Sequence, residues 1–319
     1  MAVNRLIVDT DGGVDDAQAL LLLIAAGRMP HAVTTAYGNV DLDLATRNVL
    51  ATLAVAGASI PVHAGAAQPL AEARIDARHV HGDDGLGGAP RPARTAEIAG
   101  SDAVGFLAST LEEAAATGDR IDLLTIGPLT NLALALQRAP AAVRGIGRLT
   151  IMGGTVYGRG NVTPAAEFNV FCDPEAAAVV FGLAVDTKVV PWEACLAHGL
   201  SGVEIDRMFA PLGDSEYRTF VHALVQHDRN RHLRNGKGDS FFFIDPLAAA
   251  VAAEPAIVTR SLRASVKVAL APGLTRGMTV VDPSGRVGTP MVTLVEQVDL
   301  GRLAALYAAS VAYVPRQKL

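Results

Sequence analysis

Short apolar runs alternate with longer amphipathic stretches along most of the chain. The apolar run at residues 6–8 predicts a buried strand, and the pattern over 16–26, closed by Gly27, predicts a helix. Further strands are predicted at 32–37, 60–63, 122–126, 149–152 and 187–190, and further helices at 44–56, 129–137 and 174–181. This alternation predicts an α/β fold with a mainly parallel central sheet and helices on both faces.

Two stretches depart from the alternation. Residues 66–100 are rich in Gly, Ala, Pro and Arg and predict a long loop or a lid over a site. Residues 215–239 predict a helix that carries three histidines and ends in a loop at 235–239. Strands return at 266–270, 278–281 and 291–295 before a final helix. Neither a repeat nor a low-complexity linker occurs, so we expect one domain over residues 1–319.

Composition narrows the class of protein. The chain is 50% hydrophobic, which indicates a large core and not a disordered segment. Its net charge of −5 gives no electrostatic reason to expect nucleic acid as a partner. Its two cysteines, Cys172 and Cys195, are too few for a disulfide scaffold. The start of the chain has no signal-peptide pattern and no apolar run of membrane-spanning length, so we expect a cytoplasmic protein without a membrane partner.

Four aspartates follow the first predicted strand and lead into the first helix: Asp9, Asp11, Asp15 and Asp16. Like charges at this density repel unless a cation neutralises them, and hard oxygen ligands suit Ca²⁺ or Mg²⁺. Gly12 and Gly13 allow the sharp turn that brings the carboxylates together. Helix capping by Asp15 and Asp16 is the alternative without a function, and it does not explain all four. Because ligands of open α/β sheets bind beyond the carboxyl ends of strands, we predict a functional site here.

Two families share part of this acidic pattern. Haloacid dehalogenases end a strand in Asp-x-Asp and attack phosphorus with the first carboxylate, which would be Asp9. Nucleoside hydrolases carry Asp-x-Asp-Pro-Gly-x-Asp-Asp at their N-terminus, and the second Asp-Asp pair of this chain has the matching spacing. The acidic segment therefore resembles the nucleoside hydrolases more closely.

Later segments resemble the same family in the same order. They are Tyr37-Gly38-Asn39, the segment from Gly127 to Asn131, the block from Asn161 to Pro174, and in part Ile244-Asp245-Pro246. The chain thus resembles the inosine-uridine preferring nucleoside N-ribohydrolases over nearly its whole length. This resemblance implies an open Rossmann-like architecture and hydrolysis of a ribonucleoside to ribose and free base.

The resemblance also implies the roles of individual residues. Ca²⁺ would be held by Asp11, Asp16, Asp245 and the main-chain carbonyl of Ile126. Asp11 would be the general base that activates the metal-bound water. The substrate would be bound by Asp15, Asn39, His81, Asn161, Glu167, Asn169 and Asp245. Members of the family are commonly dimers or tetramers, so we expect a homodimer or homotetramer.

The sequence departs from the family at two places near these motifs. Gly12 stands where the family has proline, and Ile244 stands where many members have a histidine that protonates the leaving base. Isoleucine transfers no proton, so either His81, His227 or Arg231 assists the base or the base leaves unassisted.

Two alternatives to a nucleosidase stay open at this point. A haloacid-dehalogenase-type phosphatase would need a downstream lysine, but Lys188 and Lys237 lie in no persuasive context. A nucleoside- or ribose-binding protein with lost or weak catalysis is suggested by Ile244. Retention of every metal carboxylate that the resemblance implies argues against that second alternative.

Overall fold

The computed structural model describes residues 4–315. Within them, strands β1 to β11 have the following bounds: Arg5–Thr10, Ala32–Thr35, Val62–Ala64, Ile121–Thr125, Ile146–Met152, Asp186–Val190, Gly199–Ser201, Ser240–Phe242, Val258–Val268, Thr279–Asp282 and Met291–Val298. Helices α1 to α12 span Val14–Ala25, Leu42–Val55, Arg78–His81, Ala103–Thr117, Thr130–Arg138, Phe168–Cys172, Pro174–Phe181, Trp192–Ala197, Gly202–Phe209, Glu216–Arg234, Asp245–Ala253 and Leu300–Val311. Short 3₁₀ helices lie at Pro140–Gly145 and Pro255–Ile257.

Nine of these strands form one sheet in the order β10-β9-β11-β6-β5-β4-β1-β2-β3, while β7 and β8 pair separately. All neighbours in the large sheet are parallel except β9, which runs antiparallel to β10 and β11. The chain order reverses at β1, which pairs with β2 on one side and with β4 on the other. The fold therefore has its topological switch point beside the end of β1, where open α/β sheets bind ligands.

Two apolar layers cover the sheet. Leu6 and Val8 belong to the layer formed with α1, α2 and α10 to α12, whereas Ile7 faces the layer formed with α4, α5 and α7. This division follows from the period of two in a strand, which points successive side chains to opposite faces. The predicted α/β fold with helices on both faces of a mainly parallel sheet is confirmed.

The structure also refines the predicted elements. Helix α1 begins at Val14 with Gly13 as its N-cap, so Asp15 and Asp16 occupy its first turn. The longer helices α4 and α11 were not predicted, nor were the short elements α6, α8, α9, β7 and β8. Strand β9 begins at Val258, upstream of the predicted strand. Residues 66–100 are irregular as predicted, apart from the short helix α3. Within residues 4–315, no helix is both long and apolar enough to cross a membrane.

Candidate active site

Asp11 lies fully buried in the turn between β1 and α1. Its Oδ2 accepts a hydrogen bond of 2.8 Å from the backbone N–H of Asn39, and its Oδ1 accepts one of 2.9 Å from the Asn39 side-chain amide. The neighbouring Gly38 has no room for a side chain, because a Cβ there would lie 2.0 Å from Asp11 Oδ2. The Gly38-Asn39 pair after β2 therefore fixes both the position and the orientation of the Asp11 carboxylate.

Asp16 is held in the same network. It accepts hydrogen bonds from the Thr10 hydroxyl, from the backbone N–H of Gly13 at 2.8 Å and from the Asn39 side-chain amide at 2.9 Å. A single amide nitrogen of Asn39 thus contacts both Asp11 and Asp16. This shared donor keeps the two carboxylates close to each other.

The turn itself depends on Gly12. Its φ is +69°, and a Cβ at this position would lie 2.6 Å from the backbone of Ala45. Proline fixes φ near −65°, so the residue that the family pattern has here could not adopt this turn. The side chain of Asn48 donates a 2.9 Å hydrogen bond to the carbonyl of Gly12 and a 3.0 Å bond to that of Asp84. Asn48, which was not predicted as a site residue, therefore ties the acidic turn to the irregular segment.

The carboxylates of Asp15, Asp16 and Asp245 each place an oxygen within 4.8 Å of the others. Asp11 lies outside this group of three. We refer to Asp11, Asp15, Asp16 and Asp245 together as the acidic floor. Burial is the largest cause that raises the pKa of each of the four, and neighbouring carboxylates raise them further. For Asp15 the pKa rises to about 7.

The acidic floor fits a hard divalent cation. Asp15 Oδ1 is buried and has no hydrogen-bond partner among residues 4–315. A buried oxygen of this kind costs free energy unless a donor or a cation faces it. Carboxylate and carbonyl oxygens at close spacing are the ligands that Ca²⁺ and Mg²⁺ prefer. The donor set therefore suits a hard divalent cation.

A cavity of about 390 Å³ opens above the acidic floor. Most of the predicted site residues line it: Asp15, Asn39, His81, Ile126, Asn161, Glu167, Asn169 and Asp245. The remaining two, Asp11 and Asp16, are fully buried and do not line it. The structure thus gathers at one cavity residues that are spread over most of the sequence.

One wall of the cavity is polar and fixed by backbone donors. Glu167 caps helix α6 and accepts hydrogen bonds from the N–H groups of Gly154 at 2.8 Å, Asn169 at 2.9 Å and Val170 at 3.2 Å. Burial nevertheless raises the pKa of Glu167 to about 7. Asn161 accepts a 2.8 Å bond from the N–H of Phe168. These groups present the paired donors and acceptors that sugar hydroxyls require.

Another part of the cavity wall combines helix α10 with the irregular segment at 66–100. We call it the distal wall and define it as His81, Asp228, Arg231 and His232, all of which line the cavity. Asp228 and His232 were not predicted as site residues, although the spacing of Asp228 and Arg231 places both on one face of a helix. His227 does not line the cavity, and its Nε2 lies 2.7 Å from the carbonyl oxygen of Val80.

His81 lies where the distal wall meets the acidic floor. Its Nδ1 accepts a 3.2 Å hydrogen bond from the N–H of Val14 and lies 3.6 Å from Asp15 Oδ1. Burial lowers the pKa of His81 to about 4, so the ring is neutral at pH 7 and carries its proton on Nε2. His81 is therefore placed to donate a hydrogen bond into the cavity and is not an acid at neutral pH.

An open α/β sheet with an acidic cavity at its switch point is the arrangement in which α/β proteins bind small polar molecules. The chain belongs to the inosine-uridine preferring nucleoside hydrolase family, whose model matches residues 6–305. The resemblance predicted from the motifs is confirmed, and the protein is a nucleoside N-ribohydrolase.

Individual relatives agree over nearly the full length. The chain is 34% identical over 313 residues to the non-specific ribonucleoside hydrolase RihC of Salmonella typhi, a match that covers 98% of each protein. It is 32% identical to the probable uridine nucleosidase 1 of Oryza sativa subsp. japonica, over 80% of this chain and 78% of that protein. Its structure is similar to that of the plant nucleoside hydrolase PpNRh1, with a TM-score of 0.87, 30% identity and coverage of 97% and 99%.

Proposed function

We propose that the protein cleaves the N-glycosidic bond of ribonucleosides to ribose and free base, with Ca²⁺ bound at the acidic floor and Asp11 as general base. The observation that carries this proposal is the buried pair of Asp11 and Asp16, held by one Asn39 amide beneath a cavity with a polar wall. The names of the relatives, a non-specific ribonucleoside hydrolase and a probable uridine nucleosidase, support a nucleoside as the substrate.

The proposed metal ligands are Asp11, Asp16, Asp245 and the carbonyl of Ile126. Asp16 and Asp245 belong to the close group of carboxylates, and Asp11 is joined to Asp16 through Asn39. Ile126 lines the cavity just beyond the end of β4, next to β1. When bound, a divalent cation lowers the pKa of a water molecule and places it against the substrate.

The residues of the chain supply the other requirements of the reaction. Asp11 accepts the proton of the attacking water at a carboxylate oxygen. Hydrogen bonds from Asn39 hold this carboxylate in position. The negative charge of the floor stabilises the ribosyl cation that develops as the glycosidic bond breaks. The residues proposed to bind the ribose hydroxyls are Asp15, Asn39, Asn161, Glu167, Asn169 and Asp245.

The family match over residues 6–305 argues against the phosphatase alternative, whose nucleophile would be Asp9. Asp9 Oδ1 accepts hydrogen bonds from the Thr34 hydroxyl and, at 2.8 Å, from the Asn131 side chain. Asp9 and Asn131 therefore act as a structural brace between β1, β2 and the start of α5.

One assay tests the proposal. The protein is incubated with inosine, uridine, cytidine, adenosine and p-nitrophenyl phosphate, before and after dialysis against a chelator and after Ca²⁺ is added back. We expect reducing sugar from at least one nucleoside, loss of activity with the chelator and recovery with Ca²⁺. Release of phosphate alone would favour the phosphatase, and binding of nucleosides without turnover would favour a binding protein. Recovery with another ion but not with Ca²⁺ would overturn the choice of metal. A cytoplasmic location and a homodimer or homotetramer stay predictions.

A further inference from the structure

The position at which the resemblance implies a proton donor for the leaving base is occupied by Ile244, and Ile244 lines the cavity. We propose that Arg231 is the catalytic residue that receives the leaving base in this protein. Its guanidinium donates hydrogen bonds to an acceptor atom of the base and stabilises the negative charge that develops there. This inference rests on the proposed function, because it concerns the departure of the base in the same reaction.

His81 and His227, the two histidines that the sequence offers to assist the leaving base, are already engaged with backbone groups. The N–H of Val14 donates to His81 Nδ1 at 3.2 Å, which leaves a singly protonated ring. Such a ring donates a hydrogen bond but gives up no proton at neutral pH. His227 contacts the carbonyl of Val80 at 2.7 Å and does not line the cavity. Neither residue replaces the missing acid.

His232 lines the cavity, but both of its ring nitrogens are engaged. Nδ1 lies 2.8 Å from the carbonyl oxygen of Ser240 and therefore donates to it. Nε2 is then an acceptor, and it lies 3.3 Å from Arg231 Nη2, which donates to it. His232 thus orients the guanidinium and has no proton to give to a base.

The N–H groups of Arg231 are not all engaged in hydrogen bonds. Its Nη2 makes only long contacts, 3.5 Å to Asp228 Oδ1 and 3.3 Å to His232 Nε2. Its Nε is buried and has no partner within residues 4–315. A guanidinium has five N–H groups, and a buried donor without an acceptor costs free energy, so an acceptor atom on a ligand in the cavity would be stabilised by Arg231. Asp228, which accepts a 3.2 Å bond from Gln18, anchors the arrangement to α1.

Arg231 also shares the cavity with the acidic floor. Its side chain lines the cavity together with Asp15 and Asp245 of the floor and with Ile244. A base attached to a ribose that is bound at the floor would occupy the rest of this cavity, which Arg231 lines.

The bonds and protons balance without an acid on the protein. Water forms a bond to the anomeric carbon and its proton passes to Asp11. The electron pair of the breaking C–N bond goes to the base, which leaves as an anion and takes its proton from solvent water. A guanidinium keeps its protons at all ordinary pH values, so Arg231 acts through hydrogen bonding and charge alone. The substrates it favours carry an acceptor near the bond that breaks, such as the 2-carbonyl oxygen of a pyrimidine or a ring nitrogen of a purine.

The test compares leaving groups that do and do not need help. Hydrolysis of inosine and uridine is measured beside that of p-nitrophenyl β-D-ribofuranoside, whose nitrophenolate leaves readily without a partner. We expect Arg231→Met to lower kcat for the nucleosides roughly 100-fold, as for other single donors to a developing anion, and to leave the nitrophenyl rate nearly unchanged. Arg231→Lys keeps the charge but loses the planar fork, so its loss on nucleosides is smaller. The control is Arg234→Met, an exposed position on the same helix outside the cavity, which should change neither rate.

The outcomes separate the two proposals. If the unaltered protein cleaves no nucleoside and no nitrophenyl riboside, the proposed function fails and this inference fails with it. If the unaltered protein is active but both Arg231 variants match it, or lose both kinds of substrate equally, the inference alone is overturned. The nitrophenyl rate also reports whether each variant retains a folded active site.

Discussion

The acidic floor and the distal wall meet at one cavity but are held in different ways. Asp11 and Asp16 of the floor accept hydrogen bonds of 2.8–2.9 Å from backbone and amide donors. Asp228, Arg231 and His232 of the distal wall are side chains of α10 that are joined to one another by contacts of 3.3–3.5 Å. A backbone-fixed site gives a constant geometry, whereas a side-chain wall changes with each substitution. We therefore assign the activation of the attacking water to the floor and the reception of the leaving base to the distal wall.

The largest effect is expected from the floor. Asp11→Asn removes the proton acceptor but preserves size, and a general base contributes about 10²- to 10⁴-fold to rate, so kcat should fall by a factor in that range. Because we assign the floor to the water and the ribose, the loss should be equal for inosine and uridine. Steady-state kinetics on both substrates measures it.

Asp122→Asn provides a matched control. Asp122 is also a buried carboxylate, but it lies at the start of β4, at the opposite end of the sheet, where it pairs with Arg28 at 3.1 Å. Its removal should lower stability without lowering kcat. An Asp11→Asn enzyme with near-normal kcat would remove Asp11 as the base.

A smaller effect is expected at the polar wall, the part of the cavity lined by Asn161, Glu167 and Asn169. Asn169→Ala removes one hydrogen-bonding side chain from the proposed ribose site, which should raise KM about tenfold. The ratio of kcat/KM between inosine and uridine should stay constant, because both carry the same sugar. A change confined to one nucleoside would show that this wall contacts the base and would break the division between sugar and base regions.

The backbone of the acidic turn offers a test by stability. Gly12→Ala places an L-residue at a positive φ and also brings its Cβ against the backbone of Ala45. Backbone strain and the steric clash together should lower the free energy of unfolding by about 2–4 kcal/mol. Gly118→Ala is the matched control: it has φ +79° with no atom within 4 Å of the added Cβ, and should cost only about 1 kcal/mol. Urea denaturation compares the two. Equal costs would mean that the turn is not tightly packed.

A further effect links pH to metal binding. The pKa of Asp15 and that of Glu167 are both raised to about 7, so the folded metal-free protein binds more protons than the unfolded chain between about pH 4 and 7. Stability of the metal-free protein should therefore fall as pH rises through this window. Ca²⁺ binds the ionised carboxylates, so its Kd should be higher at pH 5 than at pH 8. At a Ca²⁺ concentration a hundredfold above the Kd at pH 8, Tm should rise by roughly 5 °C at pH 8 and by less at pH 5.

Thermal unfolding at both pH values, with chelator or with Ca²⁺, checks this linkage. The Asp245→Asn variant should lose most of the Ca²⁺-dependent gain in Tm. A gain that is equal at the two pH values would contradict the linkage between the floor carboxylates and the ion.

The N-terminal part of the floor could be predicted from the sequence because Asp11, Asp15 and Asp16 lie in a short motif directly after a strand. Their spacing and the alternation of strands and helices are local signals, whereas the strand order that puts the switch point at β1 comes from the structure. The structure adds what the motifs do not contain: Gly12 adopts a positive φ that proline cannot, and Asp15 joins Asp16 and Asp245 more closely than Asp11 does.

The distal wall was predicted only in part, for a physical reason. Asp228 and His232 look like the solvated face of an ordinary helix until tertiary packing places α10 against the cavity. Helix α11 was missed because its alanine-rich run has no polar face: it is buried against α1 and α12. Its first residue, Asp245, was found only through the family resemblance. Asn48 gave no signal, because a polar residue within a helix more often faces solvent.

The most direct test of the metal site is a crystal structure of the Ca²⁺-loaded protein with anomalous diffraction at the site. We predict one ion with ligands at about 2.3–2.6 Å from carboxylate oxygens of Asp11, Asp16 and Asp245 and from the carbonyl oxygen of Ile126. An ion bound by Asp15, Asp16 and Asp245 without Asp11, or no ion at millimolar Ca²⁺, would contradict the account.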